Sequence, residues 1–228
     1  MFVTSGSPLY KHVVNYIHQV WGSNSYFPGP QPVSIEYKHF PILKKNEYVV
    51  CEKTDGERHM LVATMFEGKK KCLFVNRAFD MIDVSINLPK KAYEGTILDG
   101  ELYENTLMVY DALLINAAPV GHLDLYKRLA EAEKLLKQII YMTFNKYRLK
   151  MKNFWAMKDF EHFMYEYLPK VEQKVDGIVF TPVYEPIRLG THETMFKWKP
   201  REKNTVDFQM KKGMSFEGVG KPGVPVWK

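Results

Sequence analysis

The stretch from Tyr48 to Ile115 limits the fold more than any other part of the chain. Within it YVVCEK, MLVATMF, KCLFVNR, TILDGELY and TLMVYDALLI are short runs rich in β-branched and aromatic residues, bounded by turn residues. EGKKK between the second and third runs and ENT between the last two have the length of hairpin loops. A crossover between parallel strands needs about a dozen residues or more, so the pattern predicts an antiparallel sheet rather than a βαβ series.

The flanking segments add helices. Ser7-Pro8 has the form of an N-cap followed by proline at the first helical position, and Tyr10, Val13, Val14, Ile17, Val20 and Trp21 then recur at helical spacing. Phe27 to Leu43 (FPGPQPVSIEYKHFPIL) reads as an ordered, extended lead-in, because its prolines and glycine oppose a regular helix. Asp124 caps an amphipathic helix whose stripe is Leu125, Leu129, Ala132, Leu135, Leu136, Ile139 and Ile140. Asp159 starts a second, with Phe160, Phe163, Met164, Tyr167 and Leu168 inward. The sheet pattern resumes with DGIVFTPV from Asp176 and TMFKWK from Thr194. The expectation is an α+β fold of mainly antiparallel sheets flanked by helices, with one domain over 1–208. Residues 209–228 read as a tail or the start of a truncated further domain.

Composition excludes some classes. No run approaches the roughly 18 apolar residues of a membrane span, and the N-terminus lacks the layout of a secretory signal. These features predict an intracellular protein with no membrane partner. Cys51 and Cys72 are the only cysteines; both lie in apolar runs and read as reduced thiols. The histidines show no zinc spacing. A formal net charge of +6 suits a polyphosphate or RNA partner.

Four short motifs carry chemistry. In Glu52-Lys53-Thr54-Asp55-Gly56-Glu57-Arg58 a lysine closes an apolar strand, Asp-Gly turns the chain and an arginine follows. Leu98-Asp99-Gly100-Glu101-Leu102 puts two carboxylates inside a strand, where acidic residues are disfavoured unless paired or functional. Asp176-Gly177-Ile178-Val179-Phe180 repeats Asp-Gly at a strand start. Phe196-Lys197-Trp198-Lys199-Pro200 sets two lysines on one face. Each motif alone has an ordinary structural reading; it is their order that is specific.

In that order they resemble the covalent nucleotidyltransferase superfamily of mRNA-capping guanylyltransferases and ATP- or NAD-dependent ligases. KTDGER is similar to its motif I, FVNR at Phe74–Arg77 to the strand with a phosphate-binding arginine, and LDGEL to motif III. MVYDAL at Met108–Leu113 is similar to motif IIIa, DGIVF to motif IV and KWKP to motif V. The resemblance runs from about Phe27 to Phe208. FPGPQPVS, the form KTDG and KWKPREKNTVDF resemble capping enzymes, those of large DNA viruses and eukaryotes above all, more than ligases.

The resemblance implies that Lys53 takes GMP covalently from GTP and passes it to an RNA 5′-diphosphate end, forming a GpppN cap. An ordinary lysine is almost wholly protonated near neutral pH, and Arg58, Lys197 and Lys199 are the cations that would favour its neutral, nucleophilic form. Lys197 and Lys199 are expected at the α-phosphate and Arg77 along the phosphate chain. Mg²⁺ or Mn²⁺ is expected on a carboxylate, Asp176 first and Glu101 second. Glu101 and Arg58 are expected at the sugar. Tyr110 is the stacking platform, with ordinary core as its alternative. Lys152 in KMKNF is the candidate donor to guanine O6, with a solvated lysine between two helices as its alternative.

Family members with full activity carry an OB-fold domain after motif V, to which NTVDFQMKK is similar as an entry. Here that domain is expected to be absent or truncated, so the first half-reaction could be slow in this chain. Expected partners are GTP, an RNA 5′ end, and triphosphatase and methyltransferase domains of the same capping machinery. The expected location is the nucleus for a cellular enzyme, or a cytoplasmic factory or virion for a viral one. Two alternatives stand beside this reading: an ATP-dependent polynucleotide ligase, and a non-catalytic GTP- or RNA-binding module.

Overall fold

A computed structural model describes residues 1–23 and 26–200. The expectations for 201–228, including the boundary at 208 and the tail, lie outside the described residues. Helix α1 (Pro8–Trp21) begins as its sequence dictates: Ser7 Oγ accepts from the Tyr10 amide at 3.3 Å, and Gly22 ends it in a left-handed conformation. Strand β1 (Gln31–Ser34) and the short helix α2 (Phe40–Lys45) follow. Next come β2 (Tyr48–Thr54), β3 (Glu57–Phe66), β4 (Lys69–Asn76), β5 (Met81–Asp83), β6 (Thr96–Tyr103), β7 (Thr106–Ile115) and β8 (Ala118–Pro119). Helix α3 (Leu125–Leu136), β9 (Arg148–Met151), β10 (Trp155–Ala156), β11 (Val175–Pro182) and β12 (Thr191–Trp198) complete the order.

These strands form two sheets. One has the order β1-β12-β11-β2-β10. The other runs β5-β4-β3-β6-β7-β8, with β9 also on β7. Among the described residues every ladder is antiparallel except β1 with β12 and β7 with β9. The fold is thus α+β and mainly antiparallel, as expected. One element differs from the expectation: β2 does not pair with β3, its neighbour in sequence. It joins β11 in the smaller sheet, and the Asp55-Gly56 turn carries the chain into the larger one. Gly56 is needed there, because a Cβ would lie 2.6 Å from the Leu102 carbonyl oxygen.

Three other expectations need correction. Phe27–Leu43 is not extended throughout: α2 starts inside it, with Pro41 in its first turn, where proline's missing N–H has no helical partner to lose. Helix α3, capped by Asp124 Oδ1 on the Lys127 amide at 2.9 Å, stops at Leu136. Ile140 is therefore off the stripe and exposed. The segment from Asp159 is helical but irregular: over residues 157–170 it passes from 3-10 through α and π to 3-10 turns, it begins before Asp159, and Asp159 makes no capping bond. Even so, Phe163 is fully buried and its neighbours pack on the smaller sheet.

The larger sheet is covered on one face by α3 and the 84–93 loop, and on the other by α1. Cys51 and Cys72 are both free and buried, and burial pushes the Cys51 thiol up to about 12. Among the described residues no helix is long and apolar enough to cross a membrane.

Candidate active site

Lys53 stands at the end of β2, opposite Gly177 of β11. The β2–β11 register shifts between Val175 and Gly177, and the extra residue is Asp176. This bulge sets the Asp176 carboxylate between two lysines: its Oδ2 is 3.1 Å from Lys53 Nζ and 2.5 Å from Lys199 Nζ. Burial would raise the Asp176 pKa, but hydrogen bonds and charge from Lys199 and Lys53 outweigh it and hold the carboxyl below its ordinary value. Gly177 has no room for a side chain, since a Cβ would meet the Trp198 carbonyl oxygen at 2.0 Å. Lys197, paired with Ser34 of β1 and Val179 of β11, is lowered by burial and then by Lys199, Lys53 and Arg77.

The larger sheet supplies the facing wall. Arg58, at the start of β3, lies opposite Glu101 of β6. Its Nε donates to Asp99 Oδ1 at 3.0 Å, its Nη2 donates to Asp99 Oδ2, and its Nη1 donates to the Pro30 carbonyl at 2.6 Å. Tyr110 Oη donates to the same Asp99 Oδ1 at 2.9 Å. Burial alone would lower the Arg58 pKa, but Asp99 beside it drives the net shift upward. Arg58 is therefore a braced guanidinium rather than a loose cation near Lys53. Glu101 is raised by burial, against the pull of Lys53, Lys152 and Arg58. Tyr110 is raised well above its ordinary value by burial, so its hydroxyl stays a donor to Asp99.

Between the walls is a cavity of about 410 Å³, ample for a nucleotide-sized ligand. Lys53, Arg58, Arg77, Glu101, Tyr110, Lys152 and Lys197 all line it. Asp176 adjoins it through its contact with Lys53, and Lys199 through its contact with Asp176. Lys152 is not a solvated lysine between helices. It follows β9, is buried, and donates to Thr54 Oγ1 at 3.0 Å.

Lys53, Lys197 and Arg77 lie on the lining; burial lowers the Lys197 pKa, and Lys199, Lys53 and Arg77 are near enough to lower it further. Tyr110, Val179, Met195 and Phe154 add apolar surface to the lining. Such a site offers a lysine nucleophile, cations to bind an anion and a platform for a planar base.

A sequence model of the family described as mRNA capping enzyme, catalytic domain, matches residues 9–201. The chain belongs to this capping-enzyme family. It is 31% identical to an mRNA-capping enzyme subunit alpha of Neurospora crassa over 81% of this chain and 54% of that protein. It is 30% identical to the Saccharomyces cerevisiae protein of the same name over 81% and 48%, and 28% identical to an mRNA-capping enzyme of Mus musculus over 85% and 36%. The chain spans about half the length of the curated fungal relatives it matches. Two solved chains, named "Pmar-Lig_Pre." and "Pmar-Lig_PreS3", share its fold at TM-scores of 0.53 and 0.52, covering 83% of this chain and 50% and 51% of theirs. Their identities of 11% and 12% make this a likeness of fold alone.

Several residues that shape this capping-enzyme site escaped the sequence reading. The sequence marks Asp99 as a carboxylate in a strand but carries no sign of its hold on Arg58 and Tyr110. Arg128 interrupts the apolar stripe of α3 between Leu125 and Leu129, and that interruption was the available signal. It is 2% exposed and donates to Asp111 through Nε and Nη2 at 2.7 and 3.0 Å, and through Nη1 to the Leu123 and Glu185 carbonyls.

Among the described residues no three His, Cys, Asp or Glu side chains gather to hold a metal ion. A magnesium-like ion commonly takes one or two carboxylates and completes its shell with substrate phosphates and water, and the single low-pKa carboxylate of Asp176 fits that mode.

Proposed function

We propose that the chain is a GTP:RNA guanylyltransferase domain that forms a covalent Lys53–GMP intermediate. The observation that carries this reading is the placement of Lys53, with Lys197 and Arg77, on the lining of a cavity whose wall also carries Tyr110 and Glu101. In the first step the unprotonated Lys53 Nζ attacks the α-phosphorus of GTP. A P–N bond forms, the bond to the bridging oxygen breaks, pyrophosphate leaves with that electron pair, and Nζ loses its proton to solvent. In the second step a terminal oxygen of an RNA 5′-diphosphate attacks the same phosphorus. It displaces Lys53 and yields GpppN.

Lys197, Lys199 and Arg77 stabilise charge on the phosphates as it shifts toward the leaving group. Glu101 and Arg58 take the sugar, Tyr110 stacks on the base, and Lys152 donates to O6. Mg²⁺ or Mn²⁺, when bound, supplies further charge neutralisation, and Asp176 is the residue that would hold it. RNA capping needs a triphosphatase before this reaction and a methyltransferase after it, so domains of those activities are the proposed partners. The proposed location is where transcripts are made: the nucleus, or the cytoplasmic factory of a virus.

Incubation with α-labelled GTP or ATP and a divalent cation, followed by a denaturing gel, tests the reading. An acid-labile, alkali-stable label from GTP alone is expected. Label from ATP alone would replace the reading with a ligase. Nucleotide binding without label from either would mean that an OB-fold domain is required or that the chain is a binding module, and adding such a domain separates the two.

Gly177→Ala provides a second check. The added Cβ must push the end of β12 away from Asp176 and carry Lys199 with it. Displacements near 1 Å in such sites cost about a hundredfold in rate. Labelling is expected to slow by that order while GTP affinity changes far less. Unchanged labelling would show that Lys199 need not sit where the bulge puts it.

A further inference from the structure

We propose that Glu52 sets the purine preference of this site, as a positioning residue whose counter-charge holds the Lys152 ammonium in place at the cavity wall. This rests on reading the cavity as a guanine-nucleotide site. Glu52 precedes the nucleophile in sequence, does not line the cavity, and has a side chain only 1% exposed. Lys152 does line the cavity, and its side chain is 4% exposed. The two form an ion pair, with Nζ 3.8 Å from Glu52 Oε1. That distance is too long for a hydrogen bond, so the contact is electrostatic and uses none of the ammonium's protons. Among the described residues Lys152 gives a single N–H, to Thr54 Oγ1. Two donors remain on a buried, charged group at the cavity wall, an arrangement that suits an acceptor on the ligand.

An ammonium donates and cannot accept. Set against the purine 6-position it pairs with a carbonyl oxygen and rejects an exocyclic amine, which also presents donors. A neutral amine can do both, so it discriminates poorly. An ammonium held at that position is therefore what matters, and a buried ammonium needs a counter-charge beside it. Glu52 supplies it: burial raises the Glu52 pKa, and Lys152 and the Tyr167 hydroxyl oppose that rise. The carboxylate is itself held by the Tyr167 hydroxyl, 3.5 Å from its Oε2, and Asn153 Nδ2 donates to that hydroxyl at 3.2 Å. Replacing Glu52 by glutamine keeps the shape and removes the charge. Lys152 then has no counter-charge to hold it at the wall, and the preference for an oxygen at the 6-position is lost.

The test is equilibrium binding of GTP, ITP, ATP and 2-aminopurine riboside triphosphate to the full chain and to Glu52→Gln, which needs no covalent step. GTP and ITP carry the 6-oxygen; the other two do not. The unaltered chain should favour the first pair, and Glu52→Gln should shrink that preference about tenfold or more, mainly by weakening GTP and ITP. A uniform loss across all four nucleotides, or an unchanged preference, would overturn the proposal. If the unaltered chain itself shows no preference for the 6-oxygen, the guanine reading fails first and this inference with it.

The double variant Glu52→Gln/Lys152→Met removes both charges together and guards against a folding failure of the single one. It should discriminate no worse than Lys152→Met alone. A further loss of preference on adding Glu52→Gln would mean that Glu52 acts by some other route, against the proposal.

Discussion

Lys53→Ala is expected to abolish covalent labelling by GTP, at least a thousandfold below the unaltered chain, while GTP binding changes by less than about tenfold. The asymmetry follows from what Lys53 touches. Its recorded polar contact is with Asp176 Oδ2, and Lys199 stays on that same oxygen at 2.5 Å after the change, so the carboxylate keeps a counter-charge. Lys53 is about a quarter exposed, and truncating it buries no unpaired group. Without its amine no neighbour is expected to replace it: Lys199 is paired with Asp176, and Lys197 is assigned to the phosphates in the proposed mechanism. Losing a nucleophile removes the covalent route altogether, whereas losing one charge among several reduces binding modestly. The readouts are a denaturing gel and equilibrium titration on one preparation. Label retained on Lys197 or Lys199, located by peptide mass mapping, would show that the nucleophile had been misassigned.

The second large effect is on stability. Arg128→Met should lower the free energy of unfolding by about 3–5 kcal/mol, the usual result of removing one partner from a buried ion pair. For a domain of this size that is roughly 10 °C in melting temperature. Arg128 serves four acceptors: both oxygens of Asp111 and the carbonyls of Leu123 and Glu185. The methionine fills much of the space but satisfies none of them.

The deficit should also depend on pH, with a sign that Asp111 fixes. Burial already raises its pKa, against the opposing pull of Arg128 and of the Ala112 amide. Removing Arg128 raises it further. A carboxyl with a raised folded-state pKa favours folding when protonated, so its contribution is present at low pH and lost as pH rises through that pKa. The difference in melting temperature between the two proteins should be smaller at pH 5 than at pH 8. A difference that is flat or grows at pH 5 would mean that Asp111 does not carry the cost.

The sequence made some of this visible and hid the rest for physical reasons. The strands around Leu61, Phe74, Leu98 and Val109 were plain, because buried strands are dense in apolar and β-branched residues. Sheet membership was not. Whether β2 pairs with β3 depends on partners more than a hundred residues away in β11, and no local pattern encodes them. The helix at Phe40 was hidden by Pro41, a breaker in a helix interior but not in its first turn.

At the site, the residue types that bear chemistry stood out because lysines and carboxylates are out of place in apolar strands. Their convergence on one cavity is what the structure adds. The supporting pairs, Arg58 with Asp99, Arg128 with Asp111 and Lys152 with Glu52, join different elements. Each partner read alone is an ordinary charged residue.

The passage of the chain from one sheet to the other at Asp55-Gly56 makes the molecule indivisible. The sheets have their main cores on opposite sides of the cavity, joined by a small cluster of Val49, Val183 and Leu125, and consecutive strands belong to opposite walls. A cut that parted those walls would fall within Lys53–Arg58, between the amine of one and the guanidinium of the other. A second crossing, from β9 to β10, carries Lys152. Insertions belong instead in the hairpin turns at Glu67-Gly68 and Glu104-Asn105, which join strands of a single sheet. The seam between the halves is lined by the candidate site itself, and a version of this protein assembled from two fragments would have to be stitched through that cavity.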